Sequence, residues 1–212
     1  VFALLALAIA LRPEAARGDI ITPMFYDGFE TDKGDVLNST LVNWNVTSGS
    51  IDVLTAGNLC VGAGDNTTCV DLDGTGKLAG TMETKQTFAL DPGTYRLSFD
   101  LAGANRMWPG SESNTVNVSL GSFYSEAFTM LQYDPFQTIT RDITVAGAGV
   151  GKIVFNHLGN DWIGLLLDNV SLAHVVVEVP DEPEVIPTPE PGSWELLTAA
   201  LGLVAWRFRK RS

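Results

Sequence analysis

Between residues 19 and 179 the chain alternates apolar and polar positions in short runs, and no long stretch carries the 3.6-residue period of an amphipathic helix. The clearest run is 94–101, where Tyr95, Leu97, Phe99 and Leu101 share one face and polar residues the other. Asp91-Pro92-Gly93 just before it has the composition of a turn. Residues 114–120 alternate in the same way, and 122–130, beyond Gly121, reads as their hairpin partner. Further strands are expected over 42–47, 51–54, 68–72, 83–90, 136–145, 150–157 and 165–176. About ten strands with short connections predict an all-β sandwich or barrel. Trp44, alternating with Val42 and Val46, is expected in its core.

The two ends follow a different pattern. Residues 2–11 form an apolar stretch with the length of a signal-peptide core, too short to span a bilayer, and Pro13 interrupts it. Ala16 and Gly18 supply small residues at the −3 and −1 positions, so 1–18 is expected to be a signal peptide cleaved before Asp19. Residues 180–191 are rich in Pro and Glu and read as an extended, self-repelling spacer. Residues 194–206 are apolar apart from Glu195 and Thr198. As a helix this run is about 20 Å long, where a full span takes roughly 20 residues and 30 Å. Bilayer thinning and snorkelling of Arg207, Arg209, Lys210 and Arg211 reduce the mismatch. A short C-terminal transmembrane helix is expected, with Trp194 and Trp206 at the interfaces, the basic tail 207–211 in the cytoplasm and the body outside.

Charge sharpens the picture. Residues 19–179 hold 7 Lys and Arg against 19 Asp and Glu, a net of −12. Such a body repels nucleic acid and anionic membrane surfaces and suits an exported protein or one that binds cations. Cys60 and Cys69 are the only cysteines, and the turn-rich segment between them makes a structural disulfide the expectation in an exported protein.

Pro189-Glu190-Pro191-Gly192, the apolar run 194–206 and the terminal basic cluster, in that order, resemble the PEP-CTERM sorting signal of Gram-negative bacteria over residues 189–212. The resemblance implies a partner, the membrane protease-transpeptidase exosortase, and processing around Pro189 to Gly192. It also implies a path through the inner membrane to the cell surface or the extracellular space.

A second resemblance covers the body. Asp27-Gly28-Phe29-Glu30, Trp44-Asn45-Val46, Val70-Asp71-Leu72-Asp73-Gly74 and Leu165-Leu166-Leu167-Asp168-Asn169-Val170-Ser171-Leu172 look like the landmarks of galactose-binding-like jelly rolls, which include many carbohydrate-binding modules. The implied fold of 19–179 is a jelly-roll β-sandwich; the fold alone does not specify a ligand. Strict alternation in the last landmark places Leu166, Asp168, Val170 and Leu172 on one face, with a carboxylate among apolar residues. A buried charge is costly unless it is paired, hydrogen-bonded or bound to a metal. Asp168 therefore either hydrogen-bonds to a neighbouring strand or loop, or holds a cation. The resemblance implies structural Ca²⁺ on Glu30 and Asp168, with Asp27 or Asp73 as helpers, and calcium's preference for oxygen suits a chain rich in carboxylates and poor in histidine.

Residues for catalysis are sparse. His157 and His174 belong to no metal motif, and no nucleophile elbow or phosphate loop occurs. With 19 acids in the body, a carboxylate pair at glycosidase spacing will arise by chance. Trp108 and Trp162 fall in expected loops, where each ring either offers a platform to a sugar or folds back over the open end of the sandwich. Five N-x-S/T triplets, at Asn38, Asn45, Asn66, Asn117 and Asn169, read as strand and turn composition. The expectation is a non-catalytic exported surface or extracellular-matrix protein, associated with exopolysaccharide or biofilm material. The competing readings are a carbohydrate-binding module using Trp108 or Trp162 and a secreted glycan hydrolase or lyase.

Overall fold

The computed structural model describes residues 19–32, 40–55, 60, 68–76, 78–103, 113–159 and 164–177. The expected signal peptide, spacer and C-terminal helix lie outside the described residues. The chain divides into two compact units, Val1–Glu178 and Val179–Ser212, and all described residues belong to the first.

The described body is all-β. One sheet runs β10 (Gln137–Val145), β7 (Gly93–Ala102), β13 (Leu166–Val177), β4 (Thr68–Asp71), β3 (Asp52–Thr55), with β1 (Asp19–Asp27) also paired to β13. A five-stranded sheet runs β2 (Trp44–Ser48), β5 (Thr81–Thr84), β12 (Ile153–His157), β8 (Ser113–Leu120), β9 (Tyr124–Leu131). A short pair, β6 (Phe88–Leu90) and β11 (Gly149–Gly151), stands apart from both. The chain passes repeatedly between the two large sheets and every pairing is antiparallel, which makes a jelly-roll β-sandwich.

Aromatic side chains join the sheets. Phe99 of β7 meets Phe155 of β12 edge-on at 5.3 Å between ring centres and Phe128 of β9 at 5.4 Å. Trp44 reaches Phe155 at 5.8 Å and Phe25 of β1 at 5.7 Å. Trp44, Phe99 and Phe155 are all but fully buried, and edge-on pairs of this kind add to the area they bury. One open edge of the sandwich is clasped by charge. Arg141 on β10 makes two 2.8 Å hydrogen bonds to Glu126 on β9, in the opposite sheet, and its guanidinium lies 5.2 Å from the Phe128 ring centre. Arg141 holds the Glu126 carboxyl below its usual range, while burial and the neighbouring Glu126 push the Tyr124 phenol well above its own.

β13 is the hub of its sheet. β7 pairs along one side of it, and on the other side β1 covers Val170–Val177 while β4 pairs with Leu166 and Leu167. The sequence pattern misses β1, because Pro23 interrupts its ladder with a register shift and most of its residues are exposed. The run 83–90 is two strands in different sheets: Thr84 donates to the Gln86 carbonyl and Lys85 N–H to the Asn43 carbonyl, which turns the chain. The run 150–157 breaks at Lys152, whose carbonyl accepts from Gly121 N–H instead of continuing a ladder.

The expected face of β13 is corrected too. Leu167, Val170 and Leu172 point into the main core, whereas Leu166 sits in a second small cluster with Cys60, Cys69 and Ala102. A bulge between Asp168 and Ser171 inverts the alternation, so Asp168 shares the outer side with Leu166.

The Cys60–Cys69 disulfide is present, with Cα atoms 5.8 Å apart, and roofs this second cluster. Closing a loop of this size restricts the unfolded chain by about 2.5–3 kcal/mol. Replacing both cysteines with serine should lower the urea-derived stability by about that amount and leave far-ultraviolet dichroism unchanged. Equal stability of the variant and the parent would show that the bridge does not constrain the unfolded chain.

Candidate functional site

The unusual chemistry of the body gathers where β1 stops and β4 begins on the same side of β13. Between these strands lies the step Asp168–Asn169. Asn169 has φ = 50°, a left-handed conformation that asparagine adopts more readily than most residues. Its side chain bridges three strands: Nδ2 donates to Asp100 Oδ2 on β7 at 2.9 Å and to Asp168 Oδ2 at 3.3 Å, and Oδ1 accepts from the Tyr26 hydroxyl on β1 at 2.6 Å. Asp100 and Asp168 are direct cross-strand partners, 9% and 0% exposed. Two carboxylates so placed repel each other unless donors stand between them. Asn169 supplies those donors, with Thr138 Oγ1 donating to Asp100 at 2.6 Å and Asn169 N–H to Asp168 at 2.7 Å.

Beside this step the chain leaves β1 through a turn in which Asp27 Oδ1 accepts from Phe29 N–H at 2.9 Å. Asp27 Oδ2 accepts from Trp44 Nε1 at 2.8 Å, which anchors the indole in the core. Glu30 follows. Its Oε2 accepts from Thr68 Oγ1 at 3.3 Å, at the start of β4, while Oε1 is buried without a hydrogen-bond partner. A cleft of about 230 Å³ opens here, lined by Tyr26, Asp27, Gly28, Glu30, Thr31 and Asn43. Burial raises the Asp32 carboxyl above its ordinary range, and Val42 N–H, donating at 2.6 Å, partly offsets this.

The residues expected to hold calcium are therefore not equivalent. Both Asp27 oxygens accept hydrogen bonds from the chain, as do both Asp168 oxygens, from the N–H and side-chain amide of Asn169, and Asp73 lies two residues past the far end of β4. Glu30 and Asp168 are the two at the β1–β4 gap, and Glu30 Oε1, like Asp32 Oδ2, is buried without a hydrogen-bond partner. Among the described residues no group of three or more His, Cys, Asp and Glu side chains converges as a ligand set. Trp108, Trp162 and the motif residues 189–192 and 207–211 lie outside the described residues. The alternation at Asp100 and the triplet at Asn169 held no signal for the bridge, which depends on pairings between distant strands.

His157 is buried, with Nδ1 accepting from Gly159 N–H at 3.1 Å, and His174 stacks on Tyr95 at 4.9 Å. Both fill structural positions. All four Lys and Arg side chains of the described body are engaged: Lys85 with the Leu41 and Val42 carbonyls, Arg96 with Asp142, Arg141 with Glu126, and Lys152 with Glu83.

Asn169→Ala should destabilise the body by about 2–4 kcal/mol, since it removes the donor shared by two buried carboxylates and replaces asparagine with a residue that tolerates left-handed backbone less well. Asn169→Gly keeps only the first of these costs and should fall between the two in a urea titration. If both variants unfold with the parent, the bridge contributes nothing.

A family model described as the PEP-CTERM protein-sorting motif matches residues 187–211. No curated protein matches the chain by sequence. Several solved structures resemble the body. The carbohydrate-binding module TmCBM61, in complex with β-1,4-galactotriose, is 18% identical with a TM-score of 0.44, over 69% of this chain and 93% of that one. A cleaved adhesin domain of Lys-gingipain from Porphyromonas gingivalis is 17% identical with a TM-score of 0.44, over 70% and 96%. The Clostridium thermocellum xylanase 10B modules, complexed with xylohexaose, are 11% identical with a TM-score of 0.42, over 80% of this chain and 30% of that one. The fold assignment rests on the sheets and registers above. The chain carries the PEP-CTERM sorting motif at its C-terminal end.

Proposed function

We propose that this is an exported surface protein, handed to an exosortase through its C-terminal motif, whose sandwich contacts extracellular polysaccharide without turning it over. The observation that carries the reading is the sorting motif at residues 187–211. One cross-strand carboxylate pair is placed to hold the sheet together and not to cleave a glycan. Asp100 and Asp168, the cross-strand pair, are buried and hydrogen-bonded to Asn169 and Thr138, where acid–base cleavage of a glycan needs two carboxyl groups open to substrate. Intact mass and C-terminal peptide mapping of the protein from its host, with and without the sorting protease, tests delivery. The expected product ends near residues 189–192 only when the protease is present; retention of 194–212 in both strains would remove the reading.

A second reading, favoured by the partnerless buried Oε1 of Glu30, is a structural Ca²⁺ held by Glu30 and Asp168 together with backbone carbonyls. The ion would neutralise carboxylates at the β1–β4 gap and tie the two strands to β13. At a hundred times its dissociation constant a ligand adds about 2.7 kcal/mol, or about 5–10 °C for a domain of this size. Calcium should raise the melting temperature by that amount, chelator should reverse it, and Glu30→Gln should abolish the response. Melting that ignores both calcium and chelator would dispose of the ion.

A further inference from the structure

The β4 side of the gap that holds Glu30 and Asp168 is weakly tied to its sheet. β4 pairs with β13 only through Asp71 and Val70, which lie against Leu166 and Leu167. Continued past Val70, this register sets Cys69 level with Asp168 and Thr68 level with Asn169. There β13 leaves its regular geometry, with the left-handed Asn169 and the bulge between Asp168 and Ser171, and the ladder to β4 stops. On its other side β4 is paired with β3, Cys69 with Leu54 and Thr68 with Thr55, but β3 is the last strand in the described order of this sheet. Thr68 is nevertheless buried, and its hydroxyl donates to Glu30 Oε2 at 3.3 Å. A hydrogen bond this long weakens further if its donor is free to shift.

The Cys60–Cys69 bridge keeps that donor in place. Both cysteines are buried with Leu166 of β13 and Ala102 of β7, and Leu54 and Phe136 pack against the group. The bridge thus fastens the residue next to Thr68 at the point where the ladder to β13 has ended. Opened, it would leave Thr68 and Cys69 with the pairing to β3 alone among the described residues. Cys69 also stands between the two carboxylates of the gap. It is level with Asp168, and it is one residue from the donor that orients Glu30. Loss of a partner that orients a metal-binding side chain costs about ten- to a hundredfold in affinity.

We propose that the Cys60–Cys69 bridge is a redox control on the cation site at the β1–β4 gap, with Thr68 as the positioning residue that passes the state of the bridge to Glu30. The inference rests on the structural Ca²⁺ reading above and gives that site a regulation. Closing the bridge removes two electrons and two protons from the thiols of Cys60 and Cys69 and passes them to a disulfide oxidant, which leaves as a dithiol. Such oxidation belongs to export compartments and not to a reducing cytoplasm, so the site is completed after export.

The test is isothermal titration of calcium into the full-length protein, oxidised and then reduced with dithiothreitol, with far-ultraviolet dichroism to follow the fold of each form. The oxidised form should bind about tenfold more tightly. Thr68→Val, with the bridge intact, should lose about the same factor, and Thr68→Ser should recover it. Val118→Ala, a cavity in the core side of the five-stranded sheet, should be less stable yet bind as the parent does. By linkage, calcium should lower the midpoint potential of the bridge by about 30 mV, the equivalent of tenfold for two electrons. Equal affinity in the two redox forms, or a Thr68→Val variant that binds like the parent, would overturn the control while leaving the calcium reading in place. A loss in Val118→Ala as large as that on reduction would trace the effect to general destabilisation and overturn it as well. If dithiothreitol unfolds the chain, the two Thr68 variants decide. No calcium binding by the oxidised form would overturn both the control and the ion.

Discussion

The body depends on a single left-handed residue in its last strand. β13 must deliver leucines and valine to the core while lying in the middle of a sheet whose other strands bring carboxylates to the outer side. Strict alternation cannot do both. The step at Asn169 releases the strand from its period, so that Leu167 and Val170 both face inward across it. The same step puts an amide between Asp100 and Asp168, where a hydrophobic or β-branched residue would leave two carboxylates in mutual repulsion. Geometry and electrostatics are solved by one side chain.

The second constraint is the shortage of cations. Asp27, Asp52, Asp71, Asp100 and Asp168 are all buried, yet the described Lys and Arg side chains are engaged elsewhere. These acids take their hydrogen bonds from neutral donors: the Trp44 indole for Asp27, backbone N–H of Thr75 for Asp52 and of Asp73 for Asp71, and Asn169 and Thr138 for Asp100. Glu30 and Asp32 each keep one buried oxygen that no donor reaches. Asp100 and Asp168 meet on the outer side of the six-stranded sheet, and Asn169 and Thr138 are the donors that let them do so.

Much of this was legible before any fold was known, and the exceptions have identifiable causes. The alternation of 94–101 and 114–120 survives as β7 and β8 because buried and exposed positions there obey a plain period of two. Trp44 and the Cys60–Cys69 pair were equally readable, one from its apolar neighbours and the other by elimination. β1 was not, because an edge segment carrying Pro23 gains its strand character from β13 and not from its own pattern. The reversal at Asn169 was hidden for the opposite reason: Leu165 to Leu172 alternates so well in sequence that nothing local announces a bulge.

The placement of β13 has a mechanical meaning. It is the last strand of the described body, and it has neighbours on both sides. A pull on the C-terminal end directed along the strand would load the ladders to β7 and β1 together, in shear, instead of opening them one bond at a time. A domain suspended from an edge strand would unzip under the same load.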